Sequence, residues 1–221
     1  MVLRYTRAGV TNKTLPEKLK DTTRMFQIER SADRVQVGFS NLVVVFELTG
    51  DRWSHYLEQK NGGSGRLCSL EGGADESEPC SPAFQDLWFE PLGADTCEFQ
   101  MMGQAGQAIF SGAIRMDAQS GKVDFEICAR RKKPAARVGM TSTYRIVPET
   151  QTTSGGPNAG RDVWQIESLP VPGNEAPATP PVITAEDGRI VAGYCEQTGC
   201  APGDSLKQIR WRYQILARPQ A

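Results

Sequence analysis

The feature that most constrains this chain is a pair of adjacent segments, residues 108–116 and 122–130, that alternate in the manner of β-strands. The second segment alternates strictly between apolar and polar residues, the pattern of a strand with one face on a core. Between the two lies a run of turn-forming residues, 117–121, that ends in a glycine. The sequence therefore predicts an antiparallel hairpin, and the apolar positions of its second strand are Val123, Phe125, Ile127 and Ala129.

Other segments extend this pattern along the chain. Residues 42–48 include an unbroken apolar run, which indicates a central strand that is covered on both faces. Residues 207–217 alternate again, and no helical pattern is longer than about two turns. The sequence therefore predicts an all-β fold, an antiparallel β-sandwich. The closing strand is expected to bury Ile209, Trp211, Tyr213 and Ile215.

The length and composition favour one core. The chain has 221 residues, of which 39% are hydrophobic, and all-β domains of this size are often single. We expect a polar N-terminal arm over residues 1–24 and a single all-β domain over residues 25–217. Long loops are expected at 58–82 and 148–181, where glycine and proline are frequent.

The alternative fold is a closed β-barrel of lipocalin-like type, which the strand pattern also allows. The segment from Gly50 to Trp53 resembles the G-x-W motif of lipocalins, but it has one additional residue and follows two or three predicted strands, where that family has it before the first. The apolar run at 42–48 favours the sandwich, because most strands of a small barrel keep one face in solvent. The strand pattern also broadly resembles carbohydrate-handling β-sandwiches, and no motif assigns a family.

Charge and hydropathy limit the partners. Lys and Arg total 25 against 26 Asp and Glu, a formal charge of −1, so no overall field favours nucleic acid. No apolar run approaches the roughly 18 residues of a membrane span, and residues 1–20 lack the apolar core of a signal peptide. We expect an intracellular protein without a membrane span, and the oligomeric state stays open.

The six cysteines allow three interpretations. Four of them, Cys68, Cys80, Cys195 and Cys200, could supply the thiolates of a zinc site, although their spacing does not form compact knuckles. Disulfides within the loops are the second interpretation. Reduced thiols that pack as small hydrophobic groups are the third and the favoured one, so no metal is predicted.

Histidine chemistry is restricted to a single residue, His55. This excludes every metal site that needs two imidazoles. His55 shares a strand face with Trp53 and Leu57, which favours a packing role over a catalytic base. No glycine-rich phosphate loop precedes a helix, so no cofactor is predicted.

Two acidic residues on one strand are the candidate catalytic residues. Asp124 and Glu126 lie at positions i and i+2 of one strand, about 7 Å apart. Carboxylates at such a separation catalyse glycoside hydrolysis, which makes a carboxylate-dependent hydrolase of glycans one hypothesis. A solvated strand face has the same appearance and is the favoured interpretation.

A tryptophan that is expected to point away from the core is the candidate ligand-binding residue. If Leu87 and Phe89 face the core, Trp88 points outward between Asp86 and Glu90. An indole flanked by carboxylates is suited to stacking on a sugar ring while its hydroxyls are bound. Packing of Trp88 beneath a loop or against a second layer is the favoured interpretation of this residue.

Three functions follow from these features. The first is a non-catalytic ligand-binding or interaction β-sandwich, with carbohydrate as the favoured ligand class. The second is an accessory subunit of a larger assembly with a protein partner, since the arm and the long loops could order against one. The third is the carboxylate-dependent hydrolase.

Overall fold

The computed structural model of the chain describes residues 3–5, 25–60, 65–70, 81–131, 139–147, 164–171, 182–186, 189–195 and 208–217. Within these ranges the regular secondary structure consists of β-strands alone. The strands are β1 Leu3–Tyr5, β2 Gln27–Arg30, β3 Arg34–Phe39, β4 Leu42–Thr49, β5 Arg52–Gln59, β6 Arg66–Ser69, β7 Asp86–Pro91, β8 Thr96–Ala105, β9 Ala108–Asp117, β10 Lys122–Arg131, β11 Gly139–Val147, β12 Trp164–Leu169, β13 Val182–Glu186, β14 Arg189–Cys195 and β15 Gln208–Ala217.

The strands form two antiparallel sheets. The first has the order β1-β7-β8-β9-β10-β15-β12, and the second has the order β13-β14-β11-β6-β5-β4-β3-β2. The sheets pack face to face: Phe46 of β4 lies 4.7 Å from Phe99 of β8, and His55 of β5 lies 5.2 Å from Phe125 of β10, between ring centroids. The predicted β-sandwich is confirmed, and the described strands do not close into the alternative barrel.

The β9–β10 hairpin forms where the sequence predicts it, one residue longer at the end of each strand. Gly121 ends the turn with a φ of 65°, in the left-handed region that favours glycine. The backbone N–H groups of Ser120 and Gln119 donate to Asp117 at 3.0 and 2.8 Å. These bonds, chiefly the one from Ser120, lower the pKa of Asp117. An ionised aspartate therefore fixes the turn.

Strand β4 lies between β3 and β5, as its apolar run predicts. Val44 and Phe46 are buried in the core between the sheets. Val45 points the other way and is also buried, with Gln36 and Tyr56 as its register partners. Both faces of the strand are therefore covered.

Strand β15 lies between β10 and β12 and has the predicted buried face: Ile209, Trp211, Tyr213 and Ile215. On its other face Arg210 is exposed and Arg212 is half-buried. Gln214 on that face is buried, and its amide donates to Glu167 of β12. Gln214 is therefore buried against β12, although the alternation predicts that this face of β15 is exposed to solvent.

Some segments of the expected arm and loops are ordered. Residues 3–5 of the expected arm form β1, whose register places Arg4 beside Trp88. Within the expected loop 58–82, β5 continues to Gln59 and β6 occupies residues 66–69; within 148–181, β12 occupies residues 164–169. Residues 6–24, 61–64, 71–80, 148–163 and 172–181 lie outside the described ranges.

The described residues contain no helix of the length and apolarity that a membrane crossing requires.

Candidate functional site

Asp86, Trp88 and Glu90 lie on the outer face of the first sheet, at alternate positions of β7. Leu87 and Phe89 between them are buried in the core, 0% and 5% exposed. All three outer side chains are half-buried. Trp88 therefore points away from the core, with a carboxylate on either side along the strand.

Strand β8 supplies the neighbouring column of side chains. Gln100 is the register partner of Trp88, and Met102 is the register partner of Asp86. Met102 is 46% exposed, one of the most exposed large apolar side chains among the described residues. The indole thus has an amide beside it and a thioether diagonal to it.

A third carboxylate, Glu98, completes this part of the face. The Gln100 amide donates to Glu98 at 3.2 Å and to Glu90 at 3.5 Å. Arg115 of β9 binds Glu98 through Nη2 at 2.8 Å and Nε at 3.2 Å, and the Glu98 side chain is only 11% exposed. One guanidinium therefore compensates the most buried of the three acids, and the face around Trp88 stays rich in carboxylates.

The candidate catalytic acids are each paired with an arginine. Asp124 accepts from Arg212 at 3.2 Å, and Glu126 lies 3.7 Å from Arg210. Ion pairs between neighbouring strands are typical of a solvated strand face. Both acids are therefore engaged by arginines of the adjacent strand β15.

The structure does not bring the two candidate sites together. Strands β8 and β9 lie between β7, which carries Trp88, and β10, which carries Asp124 and Glu126. Three strand spacings correspond to about 14 Å. A single sugar ring on Trp88 would therefore not reach the acids of β10.

His55 lies between the sheets and is 4% exposed. Its Nε2 atom is 2.9 Å from the hydroxyl oxygen of Tyr144, and its ring stacks on Phe125. Trp53 and Leu57 of the same face are buried as well. Burial lowers the pKa of His55 to about 3, so the imidazole is neutral at neutral pH. This position suits packing and is remote from the outer face.

The cysteine thiols Cys68, Cys97 and Cys128 are free. Burial raises the pKa of Cys97 to about 12 and is the main cause of the raised pKa of Cys68. Raised values disfavour the reactive thiolate. The described residues contain no cluster of three or more metal-binding side chains. The zinc and disulfide interpretations also involve cysteines whose side chains lie outside the described part of the chain: Cys80, Cys195 and Cys200.

Sequence reasoning missed the neighbours of Trp88 on the face. Glu98, Gln100 and Met102 alternate with buried residues of β8, and this alternation is the signal that could have identified them. Ile109 of β9, 37% exposed, continues the apolar diagonal from Trp88 and Met102. The bond between Arg115 and Glu98 depends on strand pairing, which the sequence alone does not specify.

A scan against models of protein families and a search of curated proteins find nothing that matches this chain.

Proposed function

We propose that the protein is a non-catalytic ligand-binding β-sandwich that binds carbohydrate at Asp86, Trp88 and Glu90. The single observation that carries this proposal is the outward orientation of Trp88 between two carboxylates on one strand face. The binding surface belongs to a strand of a packed sheet, so the three side chains are held at fixed spacing.

The chemistry of these side chains suits a neutral, hydroxyl-rich ring. An indole offers a flat apolar surface to the C–H face of a sugar. Carboxylates accept hydrogen bonds from hydroxyl groups, and the amide of Gln100, opposite Trp88, can donate or accept. Ionised carboxylates repel anionic ligands, so a neutral sugar is favoured over a uronic acid or a sulfated sugar.

The arginine partners of Asp124 and Glu126 support the non-catalytic part of the proposal. Asp124 lies 3.2 Å from Arg212 and Glu126 lies 3.7 Å from Arg210, so both carboxylates are engaged in ion pairs between strands. We expect a glycan incubated with the protein to be recovered intact.

A glycan array followed by titration tests the proposal. We expect the protein to bind neutral glycans, and Trp88→Ala to weaken the affinity for a bound glycan at least tenfold, about 1.4 kcal/mol. The matched control is Tyr56→Ala, which removes a half-buried aromatic from the outer face of the second sheet. An array without any bound glycan, or an equal loss in both variants, would contradict the proposal.

A second candidate, an accessory subunit of an assembly, is favoured by the exposure of Met102 and Ile109 on neighbouring strands. Exposed apolar neighbours on a sheet often contact a protein partner. In this case the double variant Met102→Lys and Ile109→Lys should no longer bind its partner. The complex that contains it in cell extract should then have a lower native mass than the complex of the wild type. Leu92→Lys is the matched control, since Leu92 is 46% exposed in the β7–β8 turn. An unchanged mass in the double variant would exclude this face as the contact.

A further inference from the structure

Strand β12 forms one end of the first sheet. Among the strands that the structure describes, it has β15 on one side and no neighbour on the other. The other strands at the sheet ends, β1, β2 and β13, contain three to five residues, whereas β12 contains six. Sheet edges are commonly protected by short length, lysine or proline, and β12 contains neither lysine nor proline. Its backbone edge is therefore suited to pairing with another strand.

Two polar atoms on the inner face of β12 are buried without a hydrogen-bond partner among the described residues, Trp164 Nε1 and Ser168 Oγ. Trp164 belongs to the core and is 4% exposed. Ile166 lies between the two on the same face and is only partly buried against the core. Buried polar groups in native proteins are nearly always hydrogen-bonded, so this indole N–H and this hydroxyl both require a partner.

Trp211 shows how the same core satisfies a buried indole. It lies on the neighbouring strand β15, is fully buried, and donates from Nε1 to Ser142 Oγ of the second sheet at 3.0 Å. Within the part of the chain that the structure describes, Trp164 has no such serine. A serine hydroxyl from another source would satisfy it in the same way.

The residue spacing of β12 is self-complementary. In an antiparallel pair, residues directly opposite each other lie on the same face of the sheet. If two copies of β12 pair about a two-fold axis at Ile166, Trp164 of each copy lies opposite Ser168 of the other. Opposite Cβ atoms are about 5 Å apart, so an indole that turns about its side-chain bonds reaches the hydroxyl of the other copy. The pairing therefore supplies a partner to both orphan atoms of each copy.

The same register suits the other residues of the strand. Ile166 of each copy meets its counterpart at the axis, which covers the part of this side chain that is still exposed. On the outer face, Gln165 lies opposite Glu167 of the other copy. Within one chain, Glu167 already accepts hydrogen bonds from the amides of Gln165 and Gln214. A register shifted by one residue would instead place inner-face residues opposite outer-face residues.

We propose that the protein forms a two-fold symmetric dimer in which the β12 strands of two copies pair antiparallel about Ile166. The first sheets of the two copies then form one continuous sheet. A two-fold interface requires that residue i contacts residue j of the other copy and that j contacts i, and this register meets that condition along the strand. The inference does not depend on the proposed ligand, whose residues lie on β7 toward the other end of the first sheet.

Sedimentation analysis over a range of protein concentrations tests the dimer. The mass of the wild type should rise with concentration from 24.2 kDa toward twice this value. Gln165→Glu should weaken dimerisation about tenfold, because it places like charges directly opposite each other at two positions of the symmetric ladder. Gln165→Lys should strengthen dimerisation, because its charge is opposite to that of Glu167. The matched control is Gln27→Glu, the same substitution at an exposed position of the edge strand β2, and it should leave the dissociation constant unchanged.

A double-mutant cycle tests the register. Trp164→Phe and Ser168→Ala should each weaken dimerisation about tenfold, and the double variant should be little weaker than either, because both substitutions remove the same two hydrogen bonds. If an inner-face variant fails to fold, the Gln165 variants on the outer face still decide. A wild type that stays at 24.2 kDa at every concentration, equal effects of Gln165→Glu and Gln27→Glu, or additive losses in the cycle would overturn the proposal.

Discussion

The interior of the sandwich has two halves that differ in the chemistry of their contacts. In the apolar half, where β3 and β4 face β7 and β8, the core side chains are apolar, and Phe99 packs between Phe46 and Phe89 at 4.7 and 5.0 Å between ring centroids. In the polar half, where β5 and β11 face β10 and β15, buried side chains form hydrogen bonds between the sheets, as Tyr144 and Tyr213 do. Packing of apolar side chains does not change with acid, whereas the polar half contains His55, whose protonation would place a charge between the sheets.

The largest expected effect is in the apolar half. Phe99→Ala should lower the free energy of unfolding by about 3–5 kcal/mol, because it leaves a cavity among close-packed rings. Chemical denaturation measures this loss, which should be the same at pH 7 and pH 5.5. A loss below about 1 kcal/mol would mean that this half is not close-packed.

An intermediate effect is expected for the bond between Trp211 and Ser142. Trp211→Phe should lower the free energy of unfolding by about 1–3 kcal/mol, because the Ser142 hydroxyl remains buried without its donor. Adding Ser142→Ala should recover part of this loss. If the double variant is no more stable than the single one, the loss comes from the smaller ring and not from the hydrogen bond.

The pH dependence should distinguish the halves by a smaller amount. The folded-state pKa of His55, about 3, lies below its unfolded value of about 6.5. The contribution of neutral His55 to the free energy of unfolding is therefore fully present above about pH 6.5 and is lost as the pH falls toward 3. The contribution of His55 is about 1.4 kcal/mol per pH unit in this window. Chemical denaturation of the wild type and His55→Gln at pH 7 and 5.5 should give curves whose difference changes by roughly this slope. Parallel curves would assign the acid sensitivity to another group.

The smallest effect is expected outside both halves. Arg210→Ala removes an ion pair with Glu126 in which both side chains are more than a third exposed. Exposed pairs contribute little, so the free energy of unfolding should change by no more than about 0.5 kcal/mol. A larger loss in chemical denaturation would show that the outer face of β15 is covered in solution.

The strands that could be predicted from the sequence are those whose burial shows in the alternation itself. The hairpin, the central strand β4 and the buried face of β15 follow from apolar residues at every second or at consecutive positions. The outward orientation of Trp88 follows from the same rule. The polar half of the core could not be predicted, because its bonds join residues distant along the chain, such as Tyr144 and Tyr213, that only the packing of the sheets brings together.

The strand order was equally beyond the pattern. Nothing in the sequence indicates that β15 inserts between β10 and β12, or that β1 pairs with β7. Pairing between distant strands depends on backbone hydrogen bonds, which every residue except proline can form. The register that places Arg115 beside Glu98 could therefore not be predicted from the sequence, and neither could the arrangement of side chains around Trp88.

The three-residue strand β1 covers one edge of β7, the strand that carries Trp88. It occupies the backbone hydrogen-bonding edge of β7 from Leu87 to Phe89, with Arg4 in register with Trp88. A strand edge without a neighbour pairs readily with any extended chain, and a very short strand is enough to block it. Removal of residues 1–5 would thus expose the backbone N–H and C=O groups of β7 at this edge, and a second copy of the chain could pair with them.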